Sequence, residues 1–327
     1  MTHTADTHTG VFAGIDIGGT KIAVVLVDAA GEILARGSAV APAKEGGEAM
    51  ATTAARLTAD LLGESGGTLG AAGVGAAGVF DYDTGVVTAA SSTFVDWVGF
   101  PLRTRLEELL GVPIAIENDV NAFLLGEVAF DAHAEPDAFG VMLGTGVGGA
   151  LILDGTLRRG ARGGAGEIGH TPGYSDLVCT CKQTGHLETL ASGTSIGLRY
   201  AERTGASGLT AKEIADRARA GDADARAVFA NAGRALALAC ASMSTLLDVA
   251  EVIVGGGVSH AWDLLSPAMD ETLRTAAPIT GTPLRIQRAK RGGDAVALGA
   301  AASAQKLLRA TLAQAQSNTQ TREGAAR

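Results

Sequence analysis

The sequence predicts an α/β fold in two domains, and three observations carry that prediction. Strand-like runs of β-branched and apolar residues alternate with longer stretches of helical spacing. Two strand–glycine–strand units, GIDIGGTK at 14–21 and LGTGVGGA at 143–150, stand one in each half of the chain. A length of 327 residues is enough for two cores and tends to split into them.

Taken in order, Val11–Asp28 (VFAGIDIGGTKIAVVLVD) reads as strand, glycine turn, strand. The apolar, β-branched residues after Gly18-Gly19-Thr20 favour a second strand over a helix. A P-loop requires a helix there, so this turn offers backbone N–H groups and the Thr20 hydroxyl at a hairpin tip instead. Asp16 stands beside the tip, placed to hold Mg²⁺ through water, although it could equally serve only the turn. Glu45–Gly63 has Met50, Ala54, Leu57 and Leu61 at helical spacing. Gly70–Phe80 is a small-residue strand and loop whose glycines let a ligand or another backbone come close. The loop Ser91–Pro101 carries Trp97, either a wall for a sugar or a buried anchor. A helix over Arg103–Leu110 and a strand over Val112–Ile116 lead to Glu117-Asn118-Asp119, with a helix over Val120–Phe130 beyond. Asp119 thus sits at a strand-to-helix junction, the usual location of a site in an open α/β sheet, and a helix cap is the simpler alternative.

Ala138–Asp154 is the second strand–glycine–strand unit. Gly144, Gly146 and Gly149 satisfy G-x-G-x-x-G, yet the ALILD that follows is a strand, which excludes a dinucleotide-binding turn. The two units form a pseudo-repeat of topology, each able to cradle phosphate. Later helices are expected over Ile196–Thr204, Ala211–Ala220 (with a Thr210/Glu213 capping box) and the Ala-rich Ala223–Leu247. Glu251–Val254, Gly255-Gly256-Gly257 and a helix from near Ser259 make a strand–glycine–helix step, suited to an adenosine or simply to tight packing. Pro283–Gln287 is a last strand and Val296–Leu312 a last helix. Ser317–Arg327, polar and without periodicity, is expected to be disordered.

The most specific chemistry lies in Gly166–Gly193 (GEIGHTPGYSDLVCTCKQTGHLETLASG). His170, Cys179, Cys181 and His186 fall within seventeen positions and match the ligand set of a closed tetrahedral zinc site. A Cys-x-Cys step cannot bind one ion from a straight strand, whose alternate side chains face opposite ways, so it needs a tight knuckle. Glu167 and Glu188 flank the set. The bland alternative is a loop with ordinary histidines and two reduced thiols.

Composition bounds the function. A net charge of −9, from 26 basic and 35 acidic residues, argues against a nucleic-acid partner and for a soluble protein. Three cysteines, with Cys240 apart from the knuckle, give no disulfide framework and point to a reducing cytoplasm. Met1–Gly10 has no basic start and no apolar core, so it does not read as a signal peptide. No charge-free apolar run reaches membrane-spanning length, so no membrane partner is expected.

In their order these motifs resemble the ROK family of sugar kinases and repressors, within the actin/hexokinase-like superfamily. The resemblance rests on Asp16-Ile17-Gly18-Gly19-Thr20-Lys21, Glu117-Asn118-Asp119-Val120-Asn121, Leu143–Gly149, Glu167-Ile168-Gly169-His170, Cys179-Thr180-Cys181, Gly185-His186-Leu187-Glu188 and Gly255-Gly256-Gly257, and covers residues 12 to about 305. It implies two actin-like (ribonuclease H-like) lobes with ATP and a sugar in the interlobe cleft. The small lobe would be residues 1–120, completed by a C-terminal helix about 299–313, and the large lobe 121–298 with the knuckle. By the same resemblance Asp119 is the catalytic base, and Asn118, Glu167, His170, Glu188 and Gly78 line the sugar. Asp16, Gly18, Gly19, Thr20, Lys21, Gly144, Thr145 and Gly146 would surround the ATP phosphates and Mg²⁺, and Gly255, Gly256 and Gly257 the adenosine. The implied activity is ATP-dependent phosphorylation of the 6-hydroxyl of glucose or an N-acetylhexosamine, in a homodimer or homotetramer.

Two departures stand out. The family's knuckle reads C-x-C-G-x-x-G-C, whereas Lys182 replaces the glycine and His186 the third cysteine, which implies a Cys₂His₂ site for structural Zn²⁺. Ala76-Ala77 stands where relatives have a proline before Gly78. Such a zinc would fix the loops carrying Glu167 and Glu188, and its loss is expected to weaken sugar binding without touching the phosphate turns. The rivals are a repressor, for which no winged helix precedes Val11, and a non-catalytic sugar-responsive regulator without a DNA-binding domain.

Overall fold

The first strands form because Val11–Asp28 supplies an unbroken apolar run interrupted only at its glycine turn. A computed structural model describes residues 10–91, 93–131, 134–279, 281 and 283–325, and its contacts divide into two units. One runs to Ala134 and resumes at Arg291; the other is Glu135–Lys290.

The first unit contains β1 (Val11–Ile17), β2 (Lys21–Val27), β3 (Ile33–Val40), α1 (Gly47–Ser65), β4 (Leu69–Ala76), the hairpin β5 (Val79–Asp81) and β6 (Val86–Ala89), α2 (Leu102–Leu110), β7 (Ile114–Asn118) and α3 (Asp119–Val128). Its sheet has the order β3-β2-β1-β4-β7, antiparallel across β3, β2 and β1 and parallel across β1, β4 and β7. The second unit contains β8 (Ala138–Leu143), β9 (Val147–Leu153), β10 (Thr156–Leu157), α4 (Glu188–Ala191), α5 (Gly193–Thr204), α6 (Ala211–Arg219), α7 (Ala223–Leu247), β11 (Glu251–Gly255), α8 (Trp262–Thr275) and β12 (Arg285–Arg288). Its sheet order is β10-β9-β8-β11-β12, with the same switch from antiparallel to parallel at its third strand. The pseudo-repeat read from the two glycine units is a repeat of strand plan.

In the first unit, one face of β1 (Val11, Ala13, Ile15, Ile17) packs with Met50 of α1 and Leu106 of α2. The other face meets the final helix α9 (Ala295–Ala325), through Phe12, Val25, Ala297 and Ala301. The small residues are there for backbone contact: a Cβ on Gly14 would lie 1.8 Å from the Ala297 carbonyl, and one on Gly73 1.8 Å from that of Ala300. Within Gly70–Phe80, Gly70, Gly73 and Gly75 therefore admit a helix. In the second unit Phe139, Val141, Val252 and Val254 of the sheet pack against Phe229 and Leu236 of α7 and Leu265 of α8. By length and composition α7 is the one helix among the described residues able to cross a bilayer, but most of its apolar window is buried in this core.

Two expectations need correction. The boundaries at 120/121 and 298/299 move to Ala134/Glu135 and Lys290/Arg291. The cause is the packing of α3 on the start of α9, where Gly126 faces the Ala295 carbonyl and Gly299 that of Ala122, each at 1.8 Å for an added Cβ. The tail expected to be disordered from Ser317 continues α9 as helix to Ala325, with no proline to interrupt it. Met1–Thr9, the reading of which bore on a signal peptide, and Ala326–Arg327 of the tail lie outside the described residues.

Candidate active site and metal-binding cluster

In the first unit the register places the polar residues along one sheet edge. Asp16 is opposite Gly75, and Gly75 opposite Glu117, so Asp119 begins α3 just past the C-terminal ends of the parallel strands. Burial, and then the negative charge of Asp119, push the Asp16 carboxyl up to about 7, with Lys21 opposing. The two carboxylates are thus close enough to sense each other. Asn118 caps α3: its side-chain oxygen accepts from the Val120 and Asn121 amides at 2.9 and 3.3 Å. Its amide nitrogen donates to the Gly78 carbonyl at 3.0 Å. Capping and site-building are therefore one arrangement at Asn118, not alternatives. The cap fixes the junction from which Asp119 projects.

Gly78 has φ of +126°, and a Cβ there would lie 2.7 Å from the Ala89 carbonyl, so this loop position needs glycine. Trp97 is its anchor and not an open wall: only 2% exposed, it donates from Nε1 to the Ala77 carbonyl at 3.1 Å. Phe94 and Phe100 stack with it, at ring centroids of 5.5 and 6.0 Å. The turn Gly18–Lys21 closes through Gly18 N–H to the Lys21 carbonyl at 3.0 Å, and leaves Thr20 and Lys21 exposed. Gly19 is small because the Thr93 methyl would sit 2.6 Å from its Cβ.

In the second unit Gly144 N–H bonds the Gly146 carbonyl at 2.9 Å, shaping the turn between β8 and β9. Three further bonds reach that turn from residues 188–194. Glu188 Oε2 accepts from Val147 N–H at 2.9 Å, Gly193 N–H donates to the Gly144 carbonyl at 2.8 Å, and the Thr194 hydroxyl donates to the Thr145 carbonyl at 2.9 Å. Glu167 and His170 bracket a short 3₁₀ turn, Ile168–His170, lodged against the start of β9. A Cβ on Gly169 would lie 2.0 Å from the Val147 carbonyl, so only glycine allows this approach. Glu167 is exposed and His170 half-buried.

The knuckle is built by a tight turn in which Lys182 N–H donates to the Cys179 carbonyl at 2.8 Å. Lys182 takes the left-handed conformation, φ +71°, that the family's glycine would adopt freely. The side chain costs about 1 kcal/mol there and does not prevent the turn. His170, Cys179, Cys181 and His186 each offer a ligand atom, all within 4.8 Å of one another. The two Nδ1 atoms are 3.3 Å apart, Cys181 Sγ is 3.3 Å from His186 Nδ1, and Cys179 Sγ 3.8 Å from His170 Nδ1. Tetrahedral zinc with bonds of about 2.0–2.3 Å has ligand–ligand edges of roughly 3.3–3.8 Å, so the donor set fits zinc in chemistry and these three pairs fit it in spacing. The four-residue cluster and the Gly144–Val147 turn are linked. Glu188, whose Oε1 accepts from the Thr180 hydroxyl at 2.9 Å, spans from the knuckle to Val147.

The three glycines after β11 divide in role. Gly255 ends the strand, and Gly256 (φ +83°) packs where a Cβ would lie 2.5 Å from the Leu143 carbonyl. Gly257 opens onto a cavity of about 440 Å³, lined also by Lys212, Ala215, Asp216, Arg219 and His260. Arg219 holds α6 to the start of α8 through Asp263 Oδ1 at 2.7 Å and the His260 carbonyl at 3.2 Å. The sequence marked where α6 begins but not that it forms this wall, which arises only when α6 packs beside Gly257–Ala261.

The model of the ROK family matches residues 12–307 of the chain. A glucokinase from Halalkalibacterium halodurans is 33% identical over 311 residues, 88% of this chain and 93% of that protein. An N-acetyl-D-glucosamine kinase from Citrobacter koseri is 31% identical over 303 residues, covering 89% and 98%. Among solved structures, a ROK family glucokinase from Streptomyces griseus in complex with glucose and AMPPNP is 32% identical. It aligns with a TM-score of 0.76 over 91% of this chain and 100% of that one. With its motifs in order along both units, this chain belongs to the ROK family.

Proposed function

We propose that this chain is an ATP-dependent sugar kinase that transfers the γ-phosphoryl group to the 6-hydroxyl of a hexose, glucose or an N-acetylhexosamine such as N-acetylglucosamine or N-acetylmannosamine. The observation that carries the reading is Asp119, at a capped helix start beside the half-buried Asp16, in a chain of this family. Asp119 accepts the 6-hydroxyl proton as that oxygen bonds to the γ-phosphorus and the bond to the leaving ADP oxygen breaks. Asn118, through its remaining N–H, and Glu167, His170 and Glu188 bind other hydroxyls, with Gly78 in the loop bonded to Asn118. The carboxylate oxygens of Glu188 each keep a lone pair after their bonds to Val147 and Thr180.

Residues Gly18–Lys21 and Gly144–Gly146 present N–H and hydroxyl groups to the ATP phosphates, and the cavity at Gly257 takes the adenosine. Asp16 suits water-mediated contact with Mg²⁺, since a carboxylate so reluctant to ionise gains most from a nearby cation. When bound, Mg²⁺ neutralises charge on the phosphate oxygens. The four-residue cluster suits a structural Zn²⁺, because four protein ligands leave no open position for water. His170, Cys179, Cys181 and His186 would hold it and so fix the segments carrying Glu167 and Glu188, and the second ring nitrogen of His170 would remain for a sugar hydroxyl.

A coupled ADP-release assay over a panel of hexoses and N-acetylhexosamines tests the reading, with turnover expected on at least one. Sugar binding without ADP release would instead mark a sensor.

A further inference from the structure

The Glu188 carboxylate is held from opposite sides by three protein groups, the longest contact being Cys179 Sγ to Oε1 at 3.7 Å. Oε2 takes the Val147 N–H at the end of the phosphate turn, and Oε1 takes the hydroxyl of Thr180, the residue between the two knuckle cysteines. The carboxylate sits so close to the turn that a Cβ on Gly146 would lie 2.5 Å from Oε2. Glu188 opens α4, and the bonds from Val147 and Thr180 are the two short ones that orient its carboxylate. The hydroxyl that supplies one of them comes from a residue that is not itself a candidate metal ligand.

We propose that Thr180 is a positioning residue: its hydroxyl holds Glu188 against Val147, so that the folded knuckle sets the shape of the Gly144–Val147 turn. The inference deepens the kinase reading and rests on it for the link to nucleotide. A bond to a charged acceptor at an exposed site contributes modestly, enough for about a three- to tenfold change in an equilibrium.

The test uses the full chain, zinc-loaded, as wild type, Thr180→Val and Thr180→Ser. Thr180→Val keeps the shape and removes the donor; Thr180→Ser keeps the donor. In Thr180→Val, bound zinc should stay at about one per chain and Val147 amide exchange should quicken by about three- to tenfold. KM for ATP should rise by a similar factor, with kcat changed by less than about twofold. Thr180→Ser should match wild type in all four. Unchanged Val147 protection in Thr180→Val, an equal defect in Thr180→Ser, or loss of zinc from Thr180→Val would each overturn the proposal. Amide exchange needs no turnover, so a wild-type chain that phosphorylates no sugar would sink the kinase reading while the exchange data still decide this one.

Discussion

The two glycine turns occupy equivalent places in two sheets of one strand plan, yet different things hold them. Gly18–Lys21 is closed by its own backbone and by Ala41 N–H on the Thr20 carbonyl at 3.1 Å. Beside it lies the carboxyl pair Asp16 and Asp119. The turn Gly144–Val147 has no such pair beside it among its named partners. It is braced from outside by Glu188, Gly193 and Thr194. Topology decides where a turn sits; the residues packed around it decide whether it borders a pair of carboxyl groups or is braced from outside.

Removing the charge on the first side is the severest test of that contrast. Asp119→Asn should lower kcat by about 10²–10⁴ in the ADP-release assay while calorimetry shows sugar binding largely kept. Near-normal turnover would mean that the base lies elsewhere. On the second side, Cys179→Ser should abolish zinc binding by metal analysis and cost about 4 kcal/mol of stability or more. A metal-free protein that is fully stable and active would end the structural-zinc reading.

The pH response separates the units further. A folded-state pKa of about 7 for Asp16, against about 3.9 unfolded, means that folding favours the protonated carboxyl. Its stabilising contribution is complete below about pH 4 and is lost as pH rises through about 7. Metal-free wild type should therefore lose several degrees of Tm between about pH 5 and pH 8, and Asp16→Asn should flatten that slope. Parallel Tm profiles for the two proteins would contradict the assignment. The smallest effect belongs to the knuckle, where Lys182→Gly should add about 0.5–1 kcal/mol in denaturant melts by relieving the left-handed strain. No gain would show that the strain is offset elsewhere in the loop.

Much of the first unit was legible because its signals are local. Runs such as VFAGIDI and KIAVVLV have one plausible conformation, and the Thr210/Glu213 capping box marked the start of α6 to the residue. The edge strand β3 was not assigned: Leu34 and Val40 face solvent, so its apolar residues show no clean alternation. Trp97 could be read two ways because only packing tells a wall from an anchor. The same holds for Gly256 and Gly257, adjacent and identical, one pressed on a carbonyl and the other facing a cavity.

By itself the sequence determined the α/β class, the two glycine units, the Asn118-Asp119 junction and the four candidate zinc ligands, since each depends on residue type and short spacing. Only the tertiary structure decided that α3 belongs to the first unit, that α6 lines the Gly257 cavity, and that Glu188 ties the knuckle to the Gly144–Val147 turn. Those features depend on which surfaces meet over long sequence separations, and there side-chain volume and backbone approach, not local preference, select the partner.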